Sequence, residues 1–316
     1  MILFPSQLGE TLNGRPHRMD RRFGRAMWNP HYRNVTVDPF SEILVDSGAF
    51  QKKDMINRLT PEQAFKRQRR FEFDRRPIDG RPWRFVTYDC LRGVDEALIE
   101  TESGISRIKV RGSEETAREA VRLTVEAAEY YASRAEDVEG GIAYSAQGAT
   151  IGQYMACVRQ LLALARPGKD WLALGGFCIL GVNRKLLPQF LETCELVAPL
   201  AHQRGLEQVH VLKVAFPDAL LPASAIFRKW GLRFSTDTSG FELQAVNGKE
   251  WNAANIGDCS GRRRGGPYLH RYSKAQKYSG PAPTPLGMYN PCELLALNLS
   301  RFIEWAERPQ GGHRAP

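Results

Sequence analysis

No stretch of this chain is apolar for long enough to cross a membrane, and no signal-peptide pattern opens it. Cysteine is scarce, with 6 in 316 residues. Cys90, Cys157, Cys178 and Cys194 fall in apolar or helical stretches and read as buried thiols, not as a disulfide framework. The spacing of Cys259, His270 and Cys292 matches no zinc pattern. No Gly-x-Gly-x-x-Gly follows the first strand-like run, which removes the dinucleotide fingerprint. The expectation is a cytoplasmic protein with no membrane attachment, no cofactor and no metal.

What the chain does have is a recurring strand end. Ile43-Leu44-Val45 is a short β-prone run that stops at Asp46-Ser47-Gly48-Ala49-Phe50-Gln51. Phe85-Val86-Thr87-Tyr88 stops at Asp89-Cys90, and Gly141-Ile142-Ala143-Tyr144 at Ser145-Ala146-Gln147-Gly148. Trp171-Leu172-Ala173-Leu174 runs into Gly175-Gly176-Phe177, and Val209-His210-Val211-Leu212 into Lys213-Val214. Helical patterns lie between them. Thr60-Pro61-Glu62-Gln63 has the hydroxyl cap, first-position proline and third-position glutamine of a capping box. Further helices are predicted from Ser113 to about Val138, Gln153 to Ala165, Leu186 to His202 and Ala219 to Trp230.

Strands alternating with helices predict an α/β fold with a parallel sheet and right-handed crossovers. The length suits a single-domain (β/α)8 TIM-like barrel with insertions, a doubly wound open sheet being the alternative. The barrel is expected over residues 41–316, ending in a helical segment. Residues 1–40 read as a basic and aromatic segment packed on it, either a wedge that grips a strand or a lid. In a barrel the C-terminal strand ends converge on substrate, so acids there read as chemistry. Each also has a bland reading: Asp46 and Asp237 as turn or capping residues, Asp89 as half of a structural ion pair, Phe50 and Tyr88 as core aromatics.

The serial order of Asp46-Ser47-Gly48-Ala49-Phe50-Gln51, Tyr88-Asp89-Cys90, Ala146-Gln147-Gly148 and Leu174-Gly175-Gly176-Phe177 resembles the tRNA-guanine transglycosylase superfamily. The likeness continues through Phe216-Pro217-Asp218 to Phe234-Ser235-Thr236-Asp237, and on to Tyr268-Leu269-His270 and Tyr289-Asn290. It is nearest to the DNA 7-deazaguanine transglycosylases of phage and bacterial DNA-modification systems. The resemblance implies a pentosyltransferase that replaces guanine in a polynucleotide by a free 7-deazaguanine base. It assigns Asp237 as the covalent nucleophile and Asp46 as the general acid and base. It assigns the purine's polar edge to Asp89, Gln147, Gly175 and Gly176, with Ser47 and Phe50 also at the base.

The chain departs from that family at two points. Asn255 to Cys259 stands where the tRNA enzymes carry a Cys-x-Cys-x-x-Cys zinc run, and Tyr289 where they carry its histidine. Lys213 stands where a small residue is usual. The formal charge is +9, gathered at Arg15 to Arg25, at Lys66-Arg67-Gln68-Arg69-Arg70, at Arg75-Arg76 and at Arg262-Arg263-Arg264. Each cluster alone reads as solvated surface, but with a base-directed barrel they point to a nucleic-acid partner, with Arg69, Arg70 and Arg262 to Arg264 on phosphates. DNA is the expected polymer, in the cytoplasm of a bacterium or phage-infected cell. A tRNA substrate is the second reading, and a silent nucleic-acid-binding paralogue the third, against which the presence of both Asp46 and Asp237 speaks. The oligomeric state is open, a homodimer included.

Overall fold

The computed structural model describes residues 1–5, 11–12, 15–16, 25–30, 42–49, 59–76, 80–90, 94–101, 104–111, 114–177, 184–214, 217–238, 300–301 and 304. In chain order the strands are β1 (Ile2–Pro5), β2 (Thr11–Leu12), β3 (Arg15–Pro16), β4 (Arg25–Trp28), β5 (Glu42–Val45) and β6 (Arg84–Val86). They continue with β7 (Val94–Thr101), β8 (Gly104–Arg111), β9 (Ile142–Ala146), β10 (Trp171–Leu174), β11 (Gln208–Val211) and β12 (Arg233–Thr238). Five helices intervene: α1 (Pro61–Arg75), α2 (Glu114–Ser133), α3 (Ile151–Leu164), α4 (Leu187–Gln203) and α5 (Pro217–Lys229).

Eight strands form one sheet in the order β1-β12-β11-β10-β9-β6-β5-β4, and each of its pairings is parallel. The two end strands, β1 and β4, approach within 8 Å between Cα atoms, so the sheet curls into a nearly closed TIM-like barrel. Short hairpins, β2 with β3 and β7 with β8, are insertions outside the ring.

The N-terminal expectation is corrected here. Within residues 1–40, Ile2–Pro5 and Arg25–Trp28 are not packed on the barrel but are staves of it, β1 pairing with β12 and β4 with β5. Trp28 is no wedge either. It is 1 % exposed and packs edge-on against Phe71 and Trp83, with ring centroids 6.2 and 6.1 Å away. The expected C-terminal helical segment lies outside the described residues, apart from helical Ser300, Arg301 and Glu304.

Strand alternation divides the core in two. Trp28, Val45, Phe85, Tyr144, Leu172, Val211 and Phe234 face outward and pack with helix residues such as Phe65, Val125, Val158, Val197 and Leu220. Met27, Leu44, Val86, Ala143, Trp171 and Ala173 form a separate cluster inside the ring. That apolar filling comes from β4, β5, β6, β9 and β10. On β11 and β12 the alternate positions are polar: Gln208, His210, Ser235 and Asp237, all buried. The floor is closed by Arg84, whose guanidinium lies 3.8 Å over the Trp171 ring. Beside it, Asp170 accepts from the Ile142 amide at 2.8 Å and from Arg166 at 2.9 Å.

Helix α1 begins as its capping box requires. Thr60 Oγ1 accepts from the Gln63 amide at 3.1 Å, and Gln63 Oε1 accepts from the Thr60 amide at 3.0 Å. Two turns on, fully buried Gln68 donates through Nε2 to Val45 O at 2.8 Å and to Val86 O at 2.9 Å. Its Oε1 accepts from the Tyr131 hydroxyl at 2.6 Å. One side chain thus satisfies the last carbonyls of two neighbouring strands and ties both to α2. Gln68→Leu strands two carbonyls and a hydroxyl in the core, and is expected to cost roughly 2–4 kcal/mol. Adding Tyr131→Phe should recover part of the loss, since the hydroxyl is then gone. Chemical denaturation of the two variants measures both effects, and a Gln68→Leu cost near zero would refute the staple.

Candidate active site

The strand ends bring the sequence-derived carboxylates together. Asp46 is the first residue beyond β5, and its amide still donates to Trp28 O at 2.6 Å, extending the β4 pairing by one step. Its Oδ2 accepts from Asn29 Nδ2 at 3.0 Å. Gly48, at φ +76°, turns the chain away immediately afterwards, in a conformation glycine adopts without penalty. Ser47 is buried, and its hydroxyl accepts from the Ala49 amide at 3.4 Å. Burial pushes the Asp46 carboxyl above the usual carboxylate range; the Lys213 charge opposes that rise and Asp237 adds to it.

Asp89 sits beyond β6 and is 6 % exposed. Its Oδ2 accepts from Ser145 Oγ at 3.1 Å and from Gln147 Nε2. Burial pushes its carboxyl up to about 6, against the pull of the Gln147 hydrogen bond and with a smaller upward push from Asp46. Gly175 is packed against the same group. A Cβ there would collide with Gln147 Nε2 and lie 3.1 Å from Asp89 Oδ2. Gly176 stands at φ +80° beside Gln147 Oε1, and Gly175 is pinned from both sides, its amide on Ala146 O and its carbonyl on the Tyr154 hydroxyl, each at 3.0 Å. The result is a polar ledge with exposed backbone and one carboxylate, a shape and donor set that suit the flat polar edge of a heterocycle.

Asp237 lies near the end of β12, opposite Phe4 of β1, with none of its surface exposed. Oδ1 accepts from the Lys213 amide at 2.9 Å and meets His210 Nε2 at 3.2 Å. Lys213 reaches it because its backbone is left-handed, φ 56°, the one such non-glycine residue among the described residues. Oδ2 has no hydrogen-bond partner among the described residues. A buried acceptor atom with no donor is unusual, and it leaves this oxygen uncommitted.

Other expected site residues fare differently. Phe50 and Arg262, Arg263 and Arg264 lie outside the described residues, as do Cys259, His270 and Cys292. Among the described residues no group of three His, Cys, Asp or Glu side chains is arranged so that it could hold a metal ion. Tyr88 is a core aromatic, 1 % exposed, whose hydroxyl accepts from the Leu59 amide at 3.3 Å. Arg69 and Arg70 sit in later turns of α1 and pair with Glu72 at 3.0 Å and Asp74 at 3.5 Å. Three residues of the mouth were missed by sequence reasoning: Asn29, Ser145 and His210. His210 carried a signal, a lone imidazole in the apolar run Val209 to Leu212. Asn29 was hidden because its strand, β4, was not recognised.

No family model matches the sequence, and no curated protein does. Among solved structures the chain is similar to morphinone reductase, at 10% identity over 76% of this chain and 81% of that one, with a TM-score of 0.30. A likeness that weak carries no argument about function. No helix among the described residues is long and apolar enough to cross a membrane.

The Asp89 environment sets a pH dependence. Its carboxyl is raised in the folded state, so the native protein holds that proton more tightly than the unfolded chain does. Stability is therefore expected to fall as pH rises from about 4 through about 6, where the buried group ionises. Asp89→Asn should abolish that fall and stabilise the protein by roughly 1–3 kcal/mol at pH 8, with little gain at pH 4. Melting curves of both proteins across this range test it, and parallel curves would show Asp89 to be solvated.

Proposed function

We propose that this protein is a base-exchange transglycosylase that replaces guanine in DNA with a 7-deazaguanine base through an aspartyl–sugar intermediate. The observation that carries the reading is the pairing of unlike carboxylates in one strand-end mouth. Asp46 has its proton affinity raised by burial, whereas Asp237 has the Lys213 amide and the His210 imidazole on one oxygen and, among the described residues, no partner on the other. A proton donor and a nucleophile are the two groups a double displacement at a glycosidic carbon needs.

In this mechanism Asp237 Oδ2 attacks C1′ of the target nucleotide as the bond to the purine breaks. Asp46 gives its proton to the departing guanine, so no free anion leaves. The incoming base returns a proton to Asp46, and its nitrogen displaces Asp237 from C1′, with net retention. Asp89 accepts from the N1–H and 2-amino edge of the purine, and Gln147 with the Gly175 and Gly176 backbone completes the fit. The target base must leave its stack to enter the mouth. The excess of positive charge, +9 overall, favours a polyanionic substrate.

Incubation with labelled guanine and either duplex DNA or tRNA tests the polymer directly, label in DNA being the expected result. Label in tRNA alone would move the assignment to the tRNA-type reaction. Asp237→Asn should lower exchange by at least on the order of 10³-fold, while polynucleotide affinity stays within a few-fold. It should also lose the denaturant-stable protein–DNA adduct expected of the wild type. Asp46→Ala should lower turnover mainly, and Asp89→Ala should mainly weaken base selection. Normal exchange by Asp237→Asn would refute the mechanism.

A further inference from the structure

Four buried polar side chains on β11 and β12 form a single file inside the barrel, leading from its floor to Asp237. Gln208 and His210 alternate on one strand, Ser235 and Asp237 on the next, and His210 lies directly opposite Ser235 in the ladder. Gln208 Nε2 lies 2.8 Å from Ser235 Oγ, which lies 2.9 Å from His210 Nδ1, and His210 Nε2 lies 3.2 Å from Asp237 Oδ1. His210, Ser235 and Asp237 expose none of their surface, and Gln208 only 1 %.

We propose that His210 is the positioning residue for Asp237, held by Gln208 and Ser235 as the neutral tautomer with its proton on Nε2. The inference rests on the reading of Asp237 as nucleophile. Its logic is a proton count. The Gln208 amide donates to Ser235 Oγ, so the single hydroxyl proton is left for His210 Nδ1. A neutral imidazole whose Nδ1 accepts must carry its hydrogen on Nε2, and that hydrogen points at Asp237 Oδ1.

The opposite direction is disfavoured by its last link. With the Gln208 amide reversed, Ser235 donates to Oε1 and Nδ1 must carry the ring proton. A neutral ring then turns a bare Nε2 lone pair toward a carboxylate oxygen 3.2 Å away. As the file stands, Gln208 Oε1 has no hydrogen-bond partner among the described residues. Reversing the amide would put Nε2 at that unpartnered position instead, so the last link alone decides the direction.

The consequence is orientation without added charge. His210 and the Lys213 amide both load Oδ1, which fixes the carboxylate plane and leaves Oδ2 bare. An imidazolium in the same place would stabilise the free carboxylate by its full charge, and that stabilisation is lost once the sugar ester forms. A neutral donor fixes the plane while adding no charge that must be overcome. The site thus separates aiming the nucleophile from restraining it.

The test begins with the full-length wild type. In protein labelled with 15N-histidine at neutral pH, the His210 resonances, identified by their loss in His210→Gln, should show Nδ1 unprotonated and Nε2 protonated. A ring protonated on both nitrogens, or on Nδ1 alone, overturns the proposal. Gln208→Glu replaces the donor at the head of the file by an acceptor, so it should move a proton onto Nδ1. His210→Leu should lower kcat for exchange by roughly 10- to 100-fold, with KM and polynucleotide Kd nearly unchanged. His210→Gln, whose amide can donate at the Nε2 position, should recover most of that loss. Equal impairment of the Leu and Gln variants would also overturn it. The spectrum needs no activity, so the two readings fail separately. A neutral Nε2–H ring in a protein that forms no adduct would refute the transglycosylase, whereas exchange with a charged ring would refute the file.

Discussion

Three carboxylates, Asp46, Asp89 and Asp237, occupy one largely dry ring of strand ends, and most of the polar detail around the mouth answers that single constraint. Acids so close and so shielded cannot all ionise freely. The structure gives each a different set of neighbours. Asp46 has the Asn29 side-chain amide, the Gly48 backbone N–H and the Lys213 charge nearby. Asp89 has Ser145 and Gln147 on the same oxygen. Asp237 has the Lys213 amide and the His210 ring on one oxygen only. Unequal surroundings turn three chemically alike groups into candidates for three tasks, which is how a barrel assembles acid, acceptor and nucleophile from one residue type.

The scaffold beneath is built to keep that ring still. Gln68 holds the ends of β5 and β6 to each other, one residue before Asp46 and three before Asp89. The floor, by contrast, is shut by the Arg84–Trp171 stack and the Asp170 hydrogen bonds. Between floor and mouth the lumen is divided by strand. Five strands fill it with Met, Leu, Val, Ala and Trp side chains, and two leave a polar channel beneath Asp237. In the ladder Ala143 lies opposite Trp171 and Ala173 opposite His210, a small residue beside each large one.

The parts of this arrangement legible in the sequence were those written locally. A β-prone run that halts at Asp46, Asp89 or Gly175 announces both the strand and its chemical end, and Thr60 to Gln63 announces the start of α1. The parallel barrel follows from the alternation of such runs with helices. The alternation fails at the N-terminus, where Arg25-Ala26-Met27-Trp28 reads as a basic and aromatic patch. It is a stave only because Met27 fills the lumen and Trp28 packs behind Phe71 and Trp83, contacts with residues far along the chain. His210 was only faintly marked as a site residue for a related reason. Its meaning comes from Ser235 and Asp237 on the neighbouring strand, at a register no single-strand pattern encodes.

The ring is complete in packing but not in hydrogen bonding, since β1 and β4 sit side by side with no ladder between them among the described residues. The place of that seam matters. On one flank β1 backs Asp237, and on the other β4 carries Asn29, which holds Asp46. The shortest path around the ring between these two acids therefore crosses the one joint without a ladder. A slight parting there would change the gap between them and leave the Asp89 ledge, on the far arc, undisturbed. The barrel is built like a caliper, with jaws that meet between Asp46 and Asp237 and a laddered bow that carries Asp89.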